Sequence, residues 1–555
     1  MRALTTSGTL GALTRPMQAS RATNMRLLFG LGAVVGLGAC ASLPSASSSS
    51  APTSSGEAER HATIMFFADA HADLLTHPEQ FLRADGTVEL APAGGYARLA
   101  HVVRAIRKES PDALLVDGGD TFQGSAAASW SHGESVIGPQ RALGVDLAVP
   151  GNWEVVYGPP QMISLAKATG YPWLATNVVD KATGKLVFPP TLEREVAGVR
   201  FGFVGFTDPD VPTRQSPAYS EGLAFLGAES IPPYVHALRA RVDVVVLVTH
   251  VGIARSVALA ETIPGIDVVL SADTHERIRE PIVRKNTIIV EPGAFASFLG
   301  QLDVRVTRGQ KPQLTWKLLE LRADRYPEDA DVAKVVEESL APYRARASKV
   351  IGHAATSLER YGVLENTVDT VMARALKERT GADIALSNGF RFGHPVAAGP
   401  ITVADLFRLY PVNGPVKLGK VTGAQLQAFW ESEIDHVFTR DPAALFGGWL
   451  PRVAGMKVVF RAEAPLGHHV TSLEVNGKPL DPAATYTLAS CEREGDAPDT
   501  MCRMKHVADA KAQSYDVHSV LREWLAAHDP VSAPALGNVV ATDLSPHVFS
   551  QWEHR

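Results

Sequence analysis

From residue 62 onward, short apolar runs alternate with stretches whose apolar positions recur at helical spacing. The runs at 64–68, 113–116, 200–205, 242–248, 268–270 and 287–290 are rich in valine, isoleucine, leucine and phenylalanine, which predicts strands buried on both faces. Between the first two, residues 95–108 place Leu99, Val102, Val103 and Ile106 on one face of a predicted helix. Alternation of this kind through about residue 320 predicts an α/β layered domain. In such domains, ligands bind in the loops at the carboxyl ends of the strands.

The pattern then changes. Residues 329–348 are charged, helix-forming and free of strand signals, and they predict a connecting helix within 326–350. Beyond it, helices are predicted at 367–378 and 424–434, a loop at 388–399, and short strands at 457–461, 472–475 and 486–489. The expectation is a smaller α+β domain over 351–530, following a first domain over 61–325, with an irregular tail at 531–555. A chain of 555 residues exceeds what one compact core holds, in keeping with two domains.

With 45% apolar and 20% charged residues, the composition excludes a disordered or fibrous chain. The formal charge of -6 gives no general attraction to a phosphate backbone, so no nucleic-acid polymer is expected as partner.

Arg26 precedes thirteen mostly apolar residues and then Cys40. That run is too short to span a bilayer, and with its basic start and small final residues it reads as an export signal over 1–40. Leu37-Gly38-Ala39-Cys40 resembles a bacterial lipobox, which implies lipidation at Cys40. A lipid anchor in a bacterial membrane would place the folded part in the periplasm or on the outer cell surface. Residues 41–60 form a serine-rich linker, with eight serines among the fourteen residues from Ser42 to Ser55. In an exported protein, Cys491 and Cys502, with ten residues between them, are a candidate disulfide.

Chemistry gathers where the predicted strands end. The first runs into Asp69-Ala70-His71, and in an extended segment those two side chains share one side. The second ends in Asp117-Gly118-Gly119-Asp120, whose glycines admit close backbone approach. Gly151-Asn152-Trp153-Glu154, then His250, then Asp273-Thr274-His275 follow. Each has an ordinary reading alone: His250 as a hydrogen-bonded core residue, Asp120 as a turn cap, Asn152 as a left-handed turn residue. Carboxylate, imidazole and amide groups at five strand ends together point to divalent metal ions.

These residues resemble the calcineurin-like metallophosphoesterases, and within them the 5'-nucleotidase family, over residues 62–530. The resemblance implies a four-layer β-sandwich metallophosphoesterase domain followed by a 5'-nucleotidase C-terminal-type domain. It assigns Asp69, His71 and His275 to one metal ion, Asn152, His250 and Asp273 to a second, and Asp120 to both. It further implies a metal-bridging hydroxide as nucleophile, and the catalytic candidates are Asn152, Arg391 and Trp153. Aspartate at 273 departs from the family's histidine and favours manganese, with zinc or magnesium as alternatives.

A second departure is Trp153 where the family has a catalytic histidine, with Val156 in place of its aspartate partner. The Asn-Trp-Glu pattern resembles the Sox-pathway thiosulfohydrolase, as do Gly389-Phe390-Arg391-Phe392-Gly393 and the run 435–455. In the second domain, Asn388-Gly389 matches the start of a phosphate-binding loop, with Arg391 two positions early. Gly495-Asp496 resembles a ribose-contacting pair, and Phe390 with Phe392 could form a platform. Val416 and Ser490 stand where stacking phenylalanines are usual. The expectation is an exported dinuclear-metal hydrolase of nucleotides or related phosphomonoesters, a small anionic substrate class. The alternatives are an enzyme cleaving sulfonate from a carrier-protein cysteine, and a non-catalytic surface lipoprotein.

Overall fold

Strand Arg60–Phe67 shows why its apolar run is continuous. Ile64 and Phe66 enter one core and Met65 and Phe67 another, so both faces are buried. The same division recurs in Val244–His250, where Val244, Val246 and Val248 face the first of these cores and Val245 and Leu247 a third.

Two sheets result. One has the order Gln313–Glu320, Phe298–Val306, Arg60–Phe67, Leu114–Asp117, Leu147–Ala148. The other runs Ile282–Arg284, Thr287–Val290, Val268–Ala272, Val244–His250, Val199–Thr207, Thr191–Val196. Their inner faces share a core that includes Phe66, Val116, Phe201, Val246 and Leu270. Helix Tyr96–Glu109 covers the outside of the first sheet through Leu99, Val102 and Val103. Pro232–Arg239 and Ile253–Thr262 cover the second through Val235, Leu238 and Val257. The layers are therefore helix, sheet, sheet, helix.

Helices Ala330–Leu340 and Arg344–Ala347 follow, and Val332 and Val336 of the former pack into the core beneath Tyr96–Glu109. In the second domain, a five-stranded sheet has the order Arg452–Ala454, Ile384–Ser387, Thr485–Cys491, Pro415–Thr422, Ala508–Asp516. Ile384 and Leu386 face the core that takes helix Gly423–Phe438, and Ala385 faces the one that takes Thr367–Thr380. The C-terminal stretch read as an irregular tail contains strand Val539–Ala541, parallel to Met456–Phe460. Three residues are too few to announce a strand by periodicity; pairing with an edge already formed makes it one.

The computed structural model describes residues 59–545 and 550, apart from 84–86, 388–392, 442–443, 446–448, 492–495 and 502. The expected signal with Cys40, most of the linker, and Asn388, Phe390, Arg391 and Cys502 lie outside the described residues. Cys491 is buried at the end of its strand. Among the described residues, no helix is long and apolar enough to cross a membrane.

Candidate metal centre

Parallel register sets the frame. Phe67 pairs with Asp117, and His250 pairs with both Ala272 and Thr207, so the carboxyl ends of both sheets open on the same region. The backbone then turns sharply. Asp69, His71, Asp120, Asp273 and His275 have φ of 51°, 47°, 56°, 90° and 56°, in the left-handed region that side-chain-bearing residues rarely adopt. Asp69 and His71 thus converge through a left-handed turn, not through the extended segment that their spacing suggested. Strain of this kind persists where surrounding contacts over-determine it. Here the Asp69 N–H donates to the Gly119 carbonyl at 2.9 Å and the His71 N–H to the Asp120 carbonyl at 2.9 Å.

The second strand end is fixed by Glu154. Its buried carboxylate accepts from the backbone N–H groups of Asp120 at 3.0 Å, Thr121 at 2.7 Å and Gly151 at 2.5 Å. A side chain at Gly151 would run into the Asp120 carboxylate, so only glycine lets the two loops meet. Burial and the neighbouring Asp120 charge push Glu154 up to about 8.

Six of the predicted residues come together around this point. His71 Nε2 lies 3.3 Å from His275 Nε2, and His275 Nε2 lies 3.5 Å from Asp69 Oδ1. Asp120 Oδ2 stands between two histidines, 3.8 Å from His71 Nε2 and 3.3 Å from His250 Nε2. Asp273 Oδ1 lies 3.9 Å from His250 Nε2. Asn152 joins as the seventh, its Nδ2 donating to Asp273 Oδ1 at 3.0 Å. All seven are buried. Trp153 is buried too, but it is the backbone N–H that reaches the cluster, donating to Asp120 Oδ1 at 2.8 Å.

The donor set fits divalent ions. His71 Nδ1 faces the Gln123 carbonyl at 3.1 Å and His250 Nδ1 the Gly118 carbonyl at 2.7 Å, contacts that place a proton on Nδ1 and make Nε2 the nitrogen that would ligate a metal. Asn152 Oδ1 is buried with no hydrogen-bond partner, an acceptor in need of a cation or donor. Asp69, His71 and His275 form one group able to hold an ion, and Asp69, Asp120 and His250 another. Burial pushes Asp69 up to about 7. Burial works against His250, yet the Asp120 and Asp69 carboxylates overcome it and raise the imidazole well above its usual range. Burial lowers His71.

Several neighbours escaped the sequence reading. Arg214, from the short helix Val211–Arg214, forks onto Asp273 at 2.9 and 3.0 Å. Asp73, His77 and His394 form a further buried group, with Arg408 donating to Asp73 at 3.1 Å. Tyr361 donates its hydroxyl to the His275 carbonyl at 3.2 Å. Arg214 and Tyr361 reach the site through tertiary packing, which no local spacing signals, whereas Asp73 stands two residues after His71. Asp496 is partly buried.

The calcineurin-like phosphoesterase family model matches residues 62–277, and the 5'-nucleotidase C-terminal domain model matches 350–492. The trifunctional nucleotide phosphoesterase protein YfkN of Bacillus subtilis (strain 168) is 22% identical over 481 residues, covering 76% of this chain and 32% of its own length. The chain therefore spans about a third of that relative. A probable 5'-nucleotidase of Treponema pallidum (strain Nichols) is 25% identical over 506 residues, covering 77% of this chain and 84% of the relative. Among solved structures, the sulfate thiohydrolase SoxB of Thermus thermophilus in complex with glycerol is 26% identical, with a TM-score of 0.79 over 88% of this chain and 98% of that one. With both domain models matched in order and the strand-end residues gathered in one buried cluster, the chain belongs to the 5'-nucleotidase family of calcineurin-like metallophosphoesterases, which are metal-dependent hydrolases.

Proposed function

We propose that the chain is an exported hydrolase that removes phosphate from nucleotides or related phosphomonoesters. The observation that carries this reading is the pair of imidazole nitrogens of His71 and His275, 3.3 Å apart beside Asp69 and Asp120. Two divalent ions there would supply positive charge that polarises a phosphoryl oxygen and lowers the pKa of water. Asp69, His71 and His275 would hold one ion, Asn152, His250 and Asp273 the second, with Asp120 between them. A carboxylate-rich set favours manganese, with zinc or magnesium as alternatives.

Arg391 would neutralise charge developing on the transferred group, and Asn388, Phe390 and Asp496 would position the rest of the substrate. Trp153 fills the place of a proton donor with a buried indole, so the leaving group takes its proton from elsewhere. The export signal over 1–40, lipidation at Cys40 and the serine-rich linker would tether the enzyme to a bacterial membrane in the periplasm or at the outer surface.

Trp153, Val156 and the 26% identity to a sulfate thiohydrolase favour one second reading, hydrolysis of sulfonate from a cysteine on a sulfur-carrier protein. Parallel assays separate the two. The manganese-loaded chain is given 5'-AMP, with phosphate measured, or a peptide carrying cysteine S-thiosulfonate, with sulfate measured. Faster phosphate release supports the first reading, and sulfate release without phosphate release replaces it with the second.

A further inference from the structure

Asn152 reaches the metal centre with a choice to make. Its side chain ends in a donor and an acceptor of nearly equal size, and only the oxygen can ligate a cation. The Asp273 carboxylate resolves that choice. Asp273 Oδ1 accepts from Asn152 Nδ2 at 3.0 Å, and a carboxylate can pair only with the amide nitrogen. The amide oxygen is thereby turned the other way, buried and with no hydrogen-bond partner.

Asp273 is itself held. Arg214 Nη1 donates to Asp273 Oδ2 at 3.0 Å and Nη2 to Oδ1 at 2.9 Å, the fork geometry that fixes a carboxylate plane. The same Nη1 also donates to buried Asp208, whose Oδ2 accepts at 2.7 Å. Asp208 Oδ1 in turn pairs with Arg255 at 3.4 Å. Arg214 also offsets a charge that matters here. Without that cation, Asp273 would add an uncompensated negative charge beside Asp120, with nothing fixing its plane against Asn152.

We infer that Arg214 is a positioning residue for the second metal ion, acting through Asp273 to keep Asn152 Oδ1 facing that ion. Arg214 needs no contact with substrate for this role. The inference rests on the two-metal reading and adds a residue outside the ligand set on which that reading stands.

The test is a double-mutant cycle read on manganese binding, with the full-length chain stripped of metal and titrated calorimetrically. Arg214→Gln should leave the first ion bound as in the wild type and weaken the second by about tenfold to a hundredfold, the range for partners that orient ligands. In an Asn152→Ala background the same change should cost less than about threefold, since the group being oriented is gone. Arg214→Lys keeps the charge but cannot fork onto both oxygens, so it should fall between wild type and Arg214→Gln and serves if the glutamine variant does not fold. Full second-ion affinity in Arg214→Lys overturns the inference. So does an equal loss from Arg214→Gln with and without Asn152, or a raised KM with unchanged metal affinity, which would make Arg214 a substrate contact. A wild-type chain that binds fewer than two manganese ions overturns the two-metal reading, and this inference with it.

Discussion

His71 and His275 lie 204 residues apart in the chain, yet their Nε2 atoms stand 3.3 Å from each other. The Gln123 carbonyl accepts from His71 Nδ1, which turns Nε2 toward His275, where a cation could be held by both. Replacing either histidine with alanine should reduce bound manganese from two ions to one and lower turnover by at least about a hundredfold. Elemental analysis of the purified variants, alongside phosphate release, checks both numbers. Two ions retained in both variants would show that the pair does not ligate.

Protons and metal compete for the same groups. The Asp120 and Asp69 carboxylates, against the burial that opposes them, hold a proton on His250 well above the usual imidazole range, while burial pushes Asp69 up to about 7. An entering ion has to displace both protons. Manganese affinity of the metal-free chain should therefore rise with pH between about 6 and 8, by roughly tenfold per pH unit for each proton released. Titration calorimetry in two buffers of different ionisation enthalpy counts those protons. Affinity independent of pH and buffer would place the ion elsewhere.

Trp153 donates its backbone N–H to Asp120, so changing its side chain leaves that hydrogen bond in place. Trp153→His combined with Val156→Asp installs an imidazole and its carboxylate partner in the family's positions. If phosphate transfer is the native chemistry, the double variant should hydrolyse a phosphomonoester with a poor leaving group about a hundredfold faster. Unchanged or slower hydrolysis would mean that the indole is fitted to a different substrate.

Tyr361 joins the second domain to the strained backbone at His275, and Arg277 stacks between it and Phe298, 4.6 and 4.4 Å from the two ring centroids. Tyr361→Phe removes one hydrogen bond while keeping the stack. A loss of about 1 kcal/mol is expected, seen as a lower urea midpoint at unchanged slope. A loss several times larger would mean that the hydroxyl supports more than the His275 carbonyl.

The layered core was legible because strands buried on both faces have to be apolar throughout, as in Ile64–Phe67 and Val244–Val248. The clustered strand-end residues were legible because strand ends are where ligands bind in such sheets. What the sequence hid was three-dimensional. The left-handed turns at Asp69 and His71 leave no mark in residue type, since neither is glycine. Arg214 and Tyr361 arrive from a four-residue helix and from a loop of the second domain, where no periodicity points to the site. Val539–Ala541 becomes a strand only by pairing with Met456–Phe460.

The most direct measurement is a manganese titration of the metal-free full-length chain, following phosphate release from 5'-AMP. Turnover should climb to a break at two equivalents of manganese, vanish on chelation, and be absent from Asp120→Ala at every metal concentration. A break at one equivalent, or turnover that survives chelation or the loss of Asp120, would contradict a two-metal hydrolase built on these residues.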